Sequence, residues 1–158
     1  MKILITSILL FSLTKLIIAQ NHGFSTAPHY AVINAQNINA PINQVTIECW
    51  IKPNTLKNWV APLSYIADNG HNESGFAFSY YNNKIRFMIK TRAMRGDEWN
   101  YNPGAQIETN QWSHIAGTYD GEFIKFYLNG ELIDSKRSSG EINWDFKPDE
   151  IHIGAFKN

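Results

Sequence analysis

The 158-residue chain has few of the residues that crosslink small secreted proteins or build common metal and nucleophile sites. It contains one cysteine, Cys49, so no internal disulfide can form. Its five histidines are scattered, and none follows another at the close spacing that gives a chelating pair. No histidine lies at a spacing that would activate Cys49 as a nucleophile. The sequence therefore argues against a disulfide scaffold, a histidine metal centre and a thiol enzyme.

An excess of charge of one sign is also missing. The chain carries 14 basic and 14 acidic side chains, and the basic ones form no stripe or cluster. Proteins that bind nucleic acid or anionic lipid concentrate lysine and arginine on one surface. Neither nucleic acid nor anionic lipid is an expected partner.

The only long apolar run lies at the N-terminus. Residues 1–19 combine a positive start at Lys2, an apolar stretch at 3–13 and a small residue, Ala19, before a plausible cleavage point. Lys15 interrupts the stretch, which is short for a membrane span. We expect a signal peptide, export to the extracellular space and no membrane span after the signal is removed; a retained anchor is the alternative.

Helical periodicity is absent beyond this segment, and strand signals replace it. Apolar residues alternate in 45–51, and 75–81 and 84–90 predict a hairpin through Asn82-Asn83. Residues 111–133 predict three strands joined at Asp120-Gly121 and Asn129-Gly130, the dipeptides that type I′ turns favour. Shorter strands are expected at 30–33, 63–67 and 150–155. The pattern predicts an all-β fold, an antiparallel β-sandwich or jelly roll.

Strand alternation also assigns faces to two residues of 45–51. Cys49 is in phase with the apolar residues of this strand, which predicts a small buried side chain rather than a reactive thiol. Trp50 is out of phase with them and points to the opposite face, either at the surface or in a second layer.

Several motifs resemble the laminin-G-like, concanavalin A-like jelly-roll domains. They are VTIECWIKP at 45–53, QWSHIAGTYDG at 111–121, YLNG at 127–130 and IHIGA at 151–155, in the order and spacing of that family. The resemblance covers residues 24–158 and implies one jelly-roll domain. Its members bind sugars, mediate protein interactions or adhesion, sometimes with calcium, or accompany hydrolases, so fold alone does not fix function.

One family feature is missing from the sequence. Members normally close with a further strand that pairs beside the N-terminal strand, whereas this chain stops at Asn158. We expect that the sequence is a fragment lacking its C-terminal strand; the alternative is an open sheet edge.

Glycoside hydrolysis is not expected. Related β-glucan hydrolases hold two carboxylates about 5 Å apart by alternating them along one strand. Here Glu150 is followed by His152 and Ala155 at the corresponding places. One carboxylate cannot act as both acid and nucleophile, so we predict a protein that is not an enzyme.

Residues 91–107 form the candidate ligand-binding loop. Long loops on a rigid sandwich often carry recognition. Aromatic faces could stack on a sugar ring and charged groups could bond its hydroxyls. The predicted ligand residues are Trp99, Tyr101, Arg92, Arg95 and Asp97. Alternatively, the two aromatic residues only pin the loop to the sheet.

A calcium site is a second possibility, at the polar turn 68–75. Asp68, Asn69 and the neighbouring Asn72, Glu73 and Ser74 place hard oxygen donors in one turn, although without EF-hand spacing. Ordinary turn chemistry explains the same residues.

Three functional hypotheses follow. The first is a secreted, non-enzymatic module that recognises carbohydrate or glycoprotein, with or without calcium. The second is an N-terminal accessory module of a larger secreted hydrolase or adhesin. The third is a structural interaction domain without a small ligand.

Overall fold

The computed structural model describes residues 30–68, 73–95 and 102–156, and these contain ten strands and no helix. The predicted signal peptide, residues 1–19, lies outside them. No helix long and apolar enough to cross a membrane occurs in the described ranges. The strands are β1 (Ala31–Asn34), β2 (Val45–Ile51), β3 (Val60–Asp68), β4 (Glu73–Tyr81), β5 (Lys84–Ile89), β6 (Gly104–Ala105), β7 (Ser113–Tyr119), β8 (Phe123–Leu128), β9 (Glu131–Arg137) and β10 (Glu150–Ile153).

The strands form two antiparallel sheets. The larger sheet has the order β1-β10-β3-β4-β5-β6, and the smaller has the order β2-β7-β8-β9. This arrangement confirms the all-β sandwich predicted from the alternation of apolar residues.

The hairpin turns follow from local backbone chemistry, with one correction. Asn129 and Gly130 have φ values of 51° and 85° between the paired residues Leu128 and Glu131, as a type I′ turn requires. Asn82 and Asn83 also have positive φ values, 50° and 61°, and form their turn without glycine. At Asp120-Gly121 only Gly121 has a positive φ, so the expected type I′ turn is wrong there.

Asp120 instead stabilises its turn with its side chain. Its Oδ1 accepts hydrogen bonds from the backbone N–H groups of Glu122 and Phe123, at 3.0 and 2.7 Å. Because the Asp120 side chain accepts these two hydrogen bonds, the turn forms without a left-handed backbone conformation at Asp120.

Two segments differ from the sequence expectation. β3 is longer than 63–67, because a register shift between Val60 and Leu63 accommodates Pro62, which has no N–H to donate. The loop 91–107 is not wholly irregular: Thr91 bridges to Ile142, and β6 pairs with β5.

The core fills the space between the sheets. Gly117 of β7 faces the ring of Phe87 on β5 so closely that a Cβ atom there would lie 2.2 Å from Cγ of the ring. The larger fully buried side chains of this core are Tyr65, Phe78, Ile85, Phe87, Ile89, Ile115, Tyr119, Ile124, Phe126 and Ile142, whereas Met88 packs with Ile66 and Ala77 in a separate cluster.

Strand β2 confirms the predicted faces. Cys49 packs half-buried against the core, and burial, followed by the nearby Glu48 charge, raises its pKa to about 11. The thiol is therefore protonated at neutral pH and unreactive. Trp50 is 65% exposed on the outer face, which excludes the alternative of a second buried layer for this residue. The centroid of its ring lies 5.2 Å from the centroid of the His114 ring.

Candidate functional site

The start of β4, the first residues after β5 and the segment 141–146 meet at one end of the larger sheet. Backbone hydrogen bonds hold them there: the Gly75 N–H donates to Asn143 O, the Asn143 N–H to Lys90 O and the Arg92 N–H to Glu141 O. The end of β5 and the start of β4 are thus clamped to a segment more than fifty residues away in sequence. We call the side chains at this end, Glu73, Lys90, Arg92, Asn143 and Asp145, the loop rim.

The inner part of the loop rim is a tight polar network. The Lys90 Nζ lies 2.6 Å from a carboxylate oxygen of Glu73, and both side chains are largely buried. The Asn143 side-chain amide donates to the backbone carbonyl of Glu73 at 2.8 Å. Because ionic groups out of water need partners, this network fixes Glu73, Lys90 and Asn143 relative to one another.

The outer part of the loop rim is accessible. Arg92 reaches Asp145 with two of its nitrogens, at 2.8 and 3.4 Å, and its Nε lies 3.7 Å from Glu141. The Arg92 and Asp145 side chains are each about half exposed, at 50% and 52%. A guanidinium already oriented by a carboxylate still has N–H donors to offer, and the carboxylate still has lone pairs.

These groups line a shallow, open depression of about 130 Å³. Met94, which is buried, and Thr91 contribute to its wall beside the loop-rim residues Lys90, Arg92, Asn143 and Asp145. Every charge among these lining residues has an oppositely charged partner in the loop rim. The depression therefore offers donors and acceptors without an excess of charge.

The structure describes two of the five predicted ligand residues. Arg92 lies in the depression, and Arg95 is exposed a few residues further along the loop. Asp97, Trp99 and Tyr101 lie outside the described residues, so their role stays a prediction.

The calcium site stays a prediction, because Asn69 and Asn72 lie outside the described residues. Asp68 pairs with Glu73 across the last rung of β3 and β4. The Glu73 carboxylate is bound by Lys90, and the Ser74 hydroxyl accepts a hydrogen bond from the Phe146 N–H at 3.1 Å. The described part of the chain gathers no group of three acidic, histidine or cysteine side chains that could hold a metal. Asp68, Glu73 and Ser74 alone do not form a binding site for a calcium ion.

Sequence reasoning missed the partners supplied by 141–146. Asn143 and Asp145 lie in a stretch without alternation or a recognisable motif. Only tertiary contacts bring them beside Glu73 and Arg92. Nothing local in the sequence marks these two residues.

Comparison with known families agrees with this architecture. A laminin G family model, described as the concanavalin A-like lectin/glucanases superfamily, matches residues 25–157. The chain belongs to this family. Laminin-G-like domains of this superfamily are modules that often bind carbohydrate or protein.

Similarity to individual proteins is more limited. The chain is 32% identical to human pappalysin-1 over 85 residues, which are 54% of this chain and 4% of the relative. Mouse pappalysin-1 is 29% identical over 92 residues, 58% of this chain and 5% of that protein. The chain thus spans only a small part of these relatives.

The solved structure of a laminin domain pair supports the fold. Domains LG4-5 of the mouse laminin alpha1 chain match with a TM-score of 0.55 and 14% identity, over 81% of this chain and 32% of that one. Domain 4 of AbnA, a GH43 extracellular arabinanase from Geobacillus stearothermophilus solved with arabinotriose, matches with a TM-score of 0.46 and 20% identity, over 81% of this chain and 72% of that one.

Proposed function

We propose that this chain is a secreted, non-enzymatic module that binds carbohydrate or glycoprotein at the loop rim. The observation that carries the proposal is the half-exposed Arg92–Asp145 pair in the depression beside the candidate ligand loop. A charged pair of this kind can donate to and accept from neighbouring hydroxyls of one sugar ring. Membership of a superfamily whose modules often bind carbohydrate is consistent with it.

The shape of the depression favours binding over catalysis. It is shallow and open, whereas sites for chemistry on small molecules are usually deep enough to exclude water. Its charges hold one another in ion pairs, so none of them is presented as a free acid or base.

Binding to immobilised glycans and glycoproteins tests the proposal. Arg92→Ala removes the guanidinium and leaves Asp145 without it, so we expect affinity to fall by about tenfold. Arg137→Ala is the matched control, because Arg137 makes a comparable exposed ion pair with Glu122, at 3.0 Å, on the other sheet. Equal affinities for the two variants would contradict the loop rim as the binding site.

The predicted role of Trp99 has its own test. If its ring stacks on the ligand, Trp99→Ala weakens binding, while Trp112→Ala, which removes another tryptophan that is 56% exposed, does not. Loss of binding in both variants would indicate an unspecific effect of removing an exposed tryptophan.

The proposal includes calcium only as an ion bound by Asp68 and Asn69. A cation bound to the native state raises the melting temperature by mass action. We expect millimolar calcium to raise the melting temperature of the wild type and not that of Asp68→Ala. An unchanged wild-type melting temperature would remove calcium from the function.

The second candidate function is an accessory module of a larger secreted protein. The match to pappalysin-1 supports it, because the similar region is a small part of those long chains. Sequencing the reading frame beyond Asn158 tests this candidate: a downstream closing strand and further domain would support it, and an immediate stop codon would contradict it.

A further inference from the structure

Trp59 adopts a backbone conformation that bulky residues rarely take. Its φ is 67°, in the left-handed region that glycine and asparagine enter readily. Its N–H donates to the Tyr80 carbonyl at 2.8 Å, which fixes the turn before β3 against the end of β4. A glycine or asparagine would make this turn with less strain, so the indole ring is the feature that requires explanation.

The Trp59 ring forms an exposed aromatic cluster rather than part of the core. It stacks on Tyr81 with a centroid distance of 4.4 Å and an interplanar angle of 28°, and it lies 5.6 Å from the ring of Phe156. Trp59 remains 42% exposed. Part of a large flat apolar surface therefore stays accessible to solvent, at the end of β4 opposite the loop rim.

The chain around this cluster is basic. Two of the three segments that build it, residues 52–63 and 80–87, contain no acidic residue, and the third, residues 153–156, is uncharged, although the whole chain has equal numbers of acids and bases. Lys84 is the direct cross-strand partner of Tyr81 and so shares its face. The basic residues of these segments are Lys52, Lys57, Lys84 and Arg86.

Neutral polar groups border the same ring pair. The Asn58 side-chain oxygen accepts a hydrogen bond from the Asn82 N–H at 3.1 Å, and Asn83 completes the exposed hairpin turn. Amide side chains both donate and accept hydrogen bonds, as ligand hydroxyls do. The surface thus combines an aromatic face, amides and positive charge.

We propose that the Trp59–Tyr81 cluster is a second binding site, for a polysaccharide that carries uronic acids. The C–H face of a sugar ring stacks on the accessible indole, and Lys84 and Lys57 attract the carboxylates. A neutral glycan would bring no negative charge to interact with Lys57 and Lys84. This site is independent of the loop rim, because the two lie at opposite ends of the nine-residue strand β4.

Indole NMR signals of the ¹⁵N-labelled protein test the site directly. The chain has five tryptophans, and the Trp59 signal is assigned by its loss in Trp59→Phe. We expect hexamers of galacturonate, mannuronate or glucuronate to shift the Trp59 signal. The Trp144 signal is the internal control, since its Nε1–H is bonded to the Pro41 carbonyl at 2.7 Å, and the exposed Trp112 reports unspecific contact.

Variants then separate stacking from charge. Trp59→Ala should weaken binding by about tenfold, while Trp59→Phe keeps a ring and most of the affinity. The double variant Lys57→Gln, Lys84→Gln should weaken binding and reduce its dependence on salt. Arg92→Ala should leave the Trp59 response unchanged, which distinguishes failure of this site from failure of the loop rim.

Three results would overturn the proposal. The first is a Trp59 signal that no uronate hexamer moves at millimolar concentration. The second is an equal shift of Trp59 and Trp112. The third is equal binding of galacturonate hexamer and its uncharged methyl ester, which would exclude the acidic class of ligand.

Discussion

At the residue scale, Asp120 shows how one side chain replaces a preferred turn conformation. Its two oxygens have separate roles: Oδ1 binds the turn N–H groups, and Oδ2 lies 2.8 Å from the Lys125 Nζ. The hydrogen bond from Lys125, followed by those from Phe123 and Glu122, lowers the pKa of Asp120 to about 2. These contacts all favour the charged carboxylate.

The lowered pKa predicts an acid-dependent loss of stability. A carboxyl group whose pKa falls on folding stabilises the native state above its ordinary value of 3.8, and this contribution is lost as the pH falls through about 2. Because the pair is partly exposed, we expect on the order of 1 kcal/mol or less. Urea unfolding of the wild type and Asp120→Asn at neutral and acid pH measures the difference.

In this comparison the wild type should lose its advantage over Asp120→Asn as the pH falls, since the amide keeps an acceptor but has no charge to lose. A constant difference across the acid range would show that the carboxylate charge contributes nothing.

At the element scale, the approach of β7 to β5 depends on Gly117. This glycine is flanked on the same face of β7 by the buried residues Ile115 and Tyr119, and the Phe87 ring occupies the space above it. The position permits close packing of the two sheets because no side chain separates the strand from the ring.

Gly117→Ala should therefore overpack the core. The added Cβ would meet the Phe87 ring far inside contact distance, so either the ring or the strand has to move. We expect a loss of about 1–3 kcal/mol in the free energy of unfolding, measured by urea denaturation.

The double variant Gly117→Ala, Phe87→Leu should recover part of that loss, since the smaller side chain makes room for the methyl group. No recovery would place the strain in the β7 backbone rather than in the ring contact.

Elements were easier to predict than the contacts between them. Alternation in 45–51 predicted β2 with its faces, and Asn129-Gly130 predicted a turn, because both signals act between near neighbours. The start of β3 was not predicted, because Pro62 argues against a strand. The bulge that accommodates this proline depends on the partner strand. The pairing of Arg92 with Asp145 had no local signal, because the two residues meet only when the sheets are complete.

At the scale of the whole molecule, stability should be uneven across the sheets. β7 lies between β2 and β8 and is mostly buried, whereas β9 is the last strand of its sheet and is mostly exposed. We expect amide hydrogen exchange to be slowest in β7 and in the mostly buried inner strands β4 and β5, and fastest in β1 and β9. Uniform exchange would indicate that the molecule opens only by global unfolding.

The pairing of β1 with β10 has a consequence for how the molecule is made. The register joins Ala31 to Ile153, so the first strand finds its partner among the last residues described. The hairpins of β4–β5 and β7–β8–β9 can close as soon as they leave the ribosome, since their strands are consecutive. Long-range pairing is the slow part of β folding. During synthesis β1 must therefore remain an unpaired apolar segment until translation has reached β10.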